Sequence, residues 1–63
     1  MIGDKIKLLR RKRKLTQLQL ANELNVSAQA VSKWEKGLSY PDIETIIKIS
    51  EFFGVTTDYL LKD

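Results

Sequence analysis

Residues 16–37 read TQLQLANELNVSAQAVSKWEKG, and the spacing inside this stretch decides how the chain folds. Two short helical patterns, TQLQLANEL and SAQAVSKWEKG, are joined by a turn of about three residues, the layout of a helix-turn-helix. Thr16 and Ser27 stand where N-caps belong, each with a hydroxyl able to accept from an unpaired N–H of the first turn. Leu20, Ala21 and Leu24 make the inner stripe of the first helix, and Val31 and Trp34 that of the second. Asn25 falls in the turn, where a positive φ is expected and Asn is tolerated. Val26, directed inward, would lock the angle between the helices. The outer face of the second helix keeps Ala28, Gln29, Ser32 and Lys33, side chains sized to reach base edges in a major groove.

Patterns on either side supply three more helices. The first is expected over about residues 3–13, with Ile6 and Leu9 inward, Ile2 extending that stripe and Leu15 in the connection. Helices over about 17–24 and 28–36 follow, the latter ended by Gly37 in a left-handed conformation. Leu38 to Tyr40 form a loop, because Pro41 disfavours helix before it. A fourth helix runs from Asp42 to Phe53, its acidic start suited to the positive end of the helix dipole. Ile43, Ile46, Ile47, Ser50 and Phe53 trace its expected inner face. Gly54 ends it, and Thr56 caps a last helix over about 57–61 that returns Leu60 and Leu61 to the core. The expected fold class is therefore all-α: one five-helix domain over residues 1–63, with the helix-turn-helix at about 16–37. An end just after the last helix suits a whole protein as well as part of a longer one.

Composition narrows the chemistry. The chain has no Cys and no His, so disulfides, ordinary His/Cys metal sites, thiol nucleophiles and the commonest general base are all missing. Its glycines, Gly3, Gly37 and Gly54, are isolated at helix ends, so no phosphate loop is present. An enzyme is not expected, and neither is a cofactor or small-molecule ligand. No stretch approaches the ~18 consecutive apolar residues of a membrane span, and no apolar signal core opens the chain, so a cytoplasmic protein is expected.

The net charge is +3, but it is unevenly spread. Residues 1–14 carry seven Lys and Arg (Lys5, Lys7, Arg10, Arg11, Lys12, Arg13, Lys14) against Asp4 alone. Residues 42–63 carry Lys48 and Lys62 against Asp42, Glu44, Glu51, Asp58 and Asp63. A polyanion would orient such a domain by its field before any specific contact formed. A run such as RRKRK can simply be a solvated face; beside a helix-turn-helix, phosphate attraction is the better reading.

Gln17, Leu20–Ala21, Asn25–Val26–Ser27, Val31–Ser32, Trp34–Glu35 and Gly37, followed by Pro41-Asp42-Ile43-Glu44, resemble the Xre-like family of phage repressors, Cro proteins and their bacterial relatives. The resemblance runs from about Ile6 to Leu61. It implies a compact, lambda-repressor-like five-helix domain that binds double-stranded operator DNA, usually as a homodimer, with the third helix in the major groove. It also implies transcriptional regulation, repression foremost, by a bacterial or phage-encoded protein at the nucleoid. Two positions depart from the pattern: Asn25 replaces the Gly of most relatives, and Ala28 replaces a long polar residue found in many.

Roles can then be assigned. The Gln29 amide donates and accepts at once, matching adenine N6 and N7, while Lys33 can donate to guanine O6/N7 or to a phosphate. Ser32 can serve either, and Ala28 can pack on a thymine methyl. Gln17 stands at a helix N-terminus that favours an anion, and the matching Gln in relatives contacts phosphate. Ser27, Lys36, Tyr40 and Arg10 complete the phosphate candidates. For Arg10 the resemblance also implies an ion pair with Glu35, which is the preferred reading. Trp34 fits the core better than a phosphate contact, and Leu18 should face solvent. A patch of Ile49, Phe52, Tyr59 and Leu60 is the expected dimer interface. The competing function is a protein-interaction module, such as an antirepressor or the antitoxin of a toxin pair. Helix 1 lying on an anionic membrane is weaker, because the core needs its apolar face.

Overall fold

The computed structural model describes residues 1–62, and its helices follow the expected order: α1 (Ile2–Lys12), α2 (Gln17–Leu24), α3 (Ala28–Glu35), α4 (Ile43–Phe53) and α5 (Thr57–Leu61). Four of the five starts are set by a side chain that accepts from the third helical N–H. Thr16 accepts from Gln19 N at 3.0 Å, Ser27 from Ala30 N at 3.1 Å, Asp42 from Thr45 N at 2.9 Å and Thr56 from Tyr59 N at 2.9 Å. At Thr16 the pairing is reciprocal, since its own N–H donates to Gln19 Oε1 at 2.8 Å, a complete capping box. Asp42 serves as the cap itself, so α4 begins one residue later than expected.

The first four helices end in one way. A residue with positive φ follows each: Lys14 (58°), Asn25 (59°), Gly37 (74°) and Gly54 (69°). The next N–H then bonds back five residues, Leu15 to Arg10 O, Val26 to Ala21 O, Leu38 to Lys33 O and Val55 to Ser50 O, at 2.9–3.1 Å. This is the Schellman closure, which satisfies carbonyls left over at a helix end. Asn25 and the two glycines suit the left-handed position. Lys14 does not, because its Cβ crowds the backbone there.

Ile2 and Ile6 from α1, Leu20, Ala21 and Leu24 from α2, Val31 and Trp34 from α3, Ile46, Ile49 and Phe53 from α4, and Leu60 from α5 form one buried cluster. Leu9, Val26, Phe52 and Val55 pack on its rim. Gly3, which reads in the sequence as a helix-end residue, is buried where α1 crosses α3. A Cβ there would run into the carbonyl oxygen of Trp34, so the two backbones approach this closely only because position 3 is Gly.

Helix α4 corrects the expected phase. Ile43 and Ile47 are 64% and 44% exposed, whereas Ile49 is wholly buried. Both phases are i, i+3, i+4 patterns sharing Ile46, Ser50 and Phe53, and isoleucine on every side leaves the pattern without a preference. Packing against α2 and α5 selects the phase that includes Ile49. Leu60 is also buried and Leu61 exposed, so only Leu60 returns to the core. Ile49 and Leu60 therefore leave the expected dimer patch. Phe52 is half-buried and Tyr59 exposed.

Two outcomes check this packing in urea titrations. Ile49→Ala should cost roughly 2–5 kcal/mol as a core truncation, whereas Ile47→Ala should stay within about 0.5 kcal/mol. Lys14→Gly should raise stability by roughly 0.5–1 kcal/mol, because relief of the left-handed strain outweighs the added freedom of the unfolded chain.

Candidate nucleic-acid interface

The α2–turn–α3 unit is held at its far end by a three-membered polar network. Arg10 of α1 donates Nε to Glu35 Oε2 at 2.7 Å and Nη2 to Glu35 Oε1 at 3.0 Å, a two-pronged pair. Its Nη1 donates to Leu15 O at 2.8 Å, and Gln17 Nε2 donates to Glu35 Oε1 at 3.1 Å. The start of α2, the end of α3 and the last turn of α1 are thus joined at one carboxylate. The Glu35 side chain is only 2% exposed and that of Arg10 11%. Arg10 thus forms the internal ion pair with Glu35 that the sequence favoured over a phosphate contact, its guanidinium enclosed and bonded to Glu35 and Leu15. Its pairing also hides the only acidic side chain of α3 from the surface.

Burial pushes the Glu35 carboxyl up, but hydrogen bonds from Arg10 and Gln17 and the charges of Arg10 and Lys7 more than reverse this. It is held below its ordinary value of 4.5. Arg10 is raised in turn, chiefly by its hydrogen bond to Glu35.

Above this network lies the outward face of α3. Gln29 and Lys33 are exposed one turn apart, with Ser32 half-buried between them. Ala28 is half-buried against the core, so part of its methyl is already covered. Ser27 uses an oxygen lone pair as the α3 cap and keeps its hydroxyl hydrogen to donate. Lys36 and Tyr40 are exposed in the loop after α3, as is Leu38. Gln17 is half-buried, with one amide hydrogen committed to Glu35 and one left. Among the described residues, the backbone N–H groups of Gln17 and Leu18, the first two of α2, have no partner, which suits an incoming anion. Trp34 is buried and Leu18 exposed, as expected. The candidate base and phosphate contacts other than Arg10 therefore sit on the start of α2, the outer side of α3 and the loop that follows.

Sequence reasoning overestimated the free positive charge of α1. Lys5 donates to the carbonyls of Tyr59, at 2.6 Å, and of Lys62, closing the end of α5, and its ammonium lies 5.2 Å from the Tyr59 ring centre. Arg13 donates to Phe52 O at 2.9 Å at the end of α4 and lies 5.1 and 5.2 Å from the Phe52 and Phe53 ring centres. Both cations complete helix C-termini, where carbonyls carry partial negative charge. No local signal marks them, because their partners lie 39 or more residues away.

A domain of five helices with this capped two-helix unit and an exposed polar third helix is a helix-turn-helix domain. The helix-turn-helix family profile matches residues 6–60, and the chain belongs to that family. It is 52% identical over 59 residues to the transcriptional activator BcrR of Enterococcus faecalis, covering 94% of this chain and 29% of that protein. It is 34% identical over 62 residues to repressor protein C2 of Salmonella phage P22, covering 98% of this chain and 29% of that one. Among solved structures, the P22 c2 repressor bound to a synthetic operator superposes with a TM-score of 0.93 over 98% of this chain and 94% of that one, at 34% identity. The biofilm regulator SinR in complex with DNA superposes with a TM-score of 0.88 over 98% of this chain and 100% of that one, at 30% identity. The chain spans 29% of the length of each of these two curated relatives.

The buried pair has a pH signature. The Glu35 pKa is lowered on folding, so its contribution to stability is present above the unfolded value near 4.5 and is lost as pH falls through the folded value. Urea midpoints should be level from about pH 5 to 7 and fall on further acidification. Glu35→Gln, which leaves Arg10 without its counter-charge, should lower stability near neutral pH by roughly 3 kcal/mol and flatten the acid-side decline.

Proposed function

We propose that this chain is a sequence-specific binder of double-stranded DNA and the DNA-reading part of a transcriptional regulator, acting by binding rather than by catalysis. The observation that carries this reading is the outward face of α3, where Gln29 and Lys33 stand exposed one turn apart while the one acid of the helix is neutralised by Arg10. In the major groove, Gln29 reads adenine and Lys33 guanine or a nearby phosphate. Ser32 and the uncovered part of Ala28 make the shorter contacts. Gln17, the open N–H groups of α2, Ser27, Lys36 and Tyr40 hold phosphates and fix the register. The DNA-bound states of the P22 c2 and SinR structures support the reading. Repression and activation are both represented among the relatives' names, so the DNA-binding step is the shared one. The protein acts in the cytoplasm, and no helix among the described residues is long and apolar enough to cross a membrane.

Two copies bind an inverted repeat with half-sites about 34 Å apart. With Ile49 and Leu60 in the core, the pairing surface reduces to Tyr59 and the exposed edge of Phe52.

Selection from a random duplex pool should return such a repeat, and affinity for any duplex should fall with salt. Gln29→Ala should cost roughly 1–3 kcal/mol on the selected site and little on random DNA. Gln17→Ala should weaken both alike. A specific-to-random affinity ratio untouched by Gln29→Ala would overturn the assignment of α3 as the reading helix, and a flat salt response would overturn DNA binding itself.

A further inference from the structure

Seven cations crowd the first fourteen residues, and the structure divides them. Lys5, Arg10 and Arg13 are held by internal carbonyl and carboxylate groups. Of the others, Lys7 and Arg11 lie one turn apart and share a shallow hollow with Asp4 and Leu8. A second hollow, lined by Met1, Gly3, Asp4, Glu35, Lys36 and Gly37, meets the first at Asp4. The close crossing at Gly3 and Trp34 brings these surfaces together. They form a continuous strip from Lys36, at the end of α3, across α1 to Arg11. Asp4 is the acid on this strip besides the neutralised Glu35, and the Met1 amino group lies 3.6 Å from it, offsetting its repulsion of an anion.

We propose that Lys7 and Arg11, continuous with Lys36, form a second phosphate-binding track on α1 that grips the DNA backbone beyond the bases read by α3. This rests on the DNA-binding reading above and extends it to residues outside the helix-turn-helix. The track begins at Lys36 in the loop that follows α3, so a duplex seated on α3 can continue onto it. Lys7 is half-buried on the hollow's wall, so its stem is partly ordered before DNA arrives. Arg11 is exposed and has no internal partner among the described residues, leaving its planar fork free for phosphate oxygens. Contacts of this kind add affinity and footprint length without sequence preference.

The test compares Lys7→Gln/Arg11→Gln with Lys12→Gln/Lys48→Gln, which removes the same charge from exposed positions off the strip. Binding of the selected duplex and of a random duplex is measured across a salt series, with melting curves confirming that each variant folds. The track variant should lower the slope of log K against log salt by about 1.8, two phosphates at about 0.9 each. The loss should be equal on both duplexes, and phosphate-ethylation interference should disappear at the edge of the half-site. The control variant should change the slope much less. Equal slope changes in the two variants, or an unchanged slope in the track variant, would overturn the track while leaving the DNA-binding reading intact. If the unsubstituted protein binds neither duplex, both fall together.

Discussion

A carboxylate placed almost wholly out of water must be matched where it stands, and Glu35 is matched by Arg10 and Gln17. Removing two charges from water is costly, so such a pair need contribute little net stability. Its consequence is geometric. Breaking the pair would leave a buried charge alone, so the arrangements of α1, α2 and α3 that keep all three partners in register are strongly favoured over those that do not. The start of α2, where two N–H groups remain open, is thereby set against the end of α3. The same bond removes a negative charge from the helix that would face phosphate.

The remaining positive charge follows a similar division between support and display. Lys5 and Arg13 reach from α1 to the carbonyl ends of α5 and α4, and each stacks on aromatic rings as it does so. A small domain has few apolar side chains to hold its last helices. Cations that satisfy terminal carbonyls and cover rings do this with stems that are themselves apolar. What is left outward on α1 is a narrower set of charges than composition implies, and its placement beside Lys36 gives it a direction.

Backbone geometry supplies the sharp corners. Four Schellman closures in 62 described residues let five short helices meet with brief connections, and each needs one residue in the left-handed region. Asn25 serves at the turn of the helix-turn-helix, where its side chain lowers the penalty. Lys14 fills the same role at greater cost, immediately before the Arg10 bond to Leu15 O closes the corner.

The caps at Thr16, Ser27 and Thr56, the left-handed Asn25 and Gly37, and the buried stripes of α2 and α3 were legible in the sequence because each depends on residues within one or two helical turns. The exposed pair Gln29 and Lys33 follows from those same stripes, since fixing the inner face of a helix fixes its outer one. Tertiary structure alone decided the rest. Helix α4 carries isoleucine at 43, 46, 47 and 49, and a helix apolar on so much of its circumference has no phase until neighbours cover one side. Gly3 looks like an ordinary helix-end glycine until α3 is laid across it. Lys5 and Arg13 have the same chemistry as Lys7 and Arg11, and what separates them is whether a helix end or open solvent lies within reach. Local patterns therefore settled which segments are helical and which face of α3 is offered, because those forces act over a few residues. The division of charge and the rotation of α4 depend on groups far apart in the chain, and are decided only when the core closes.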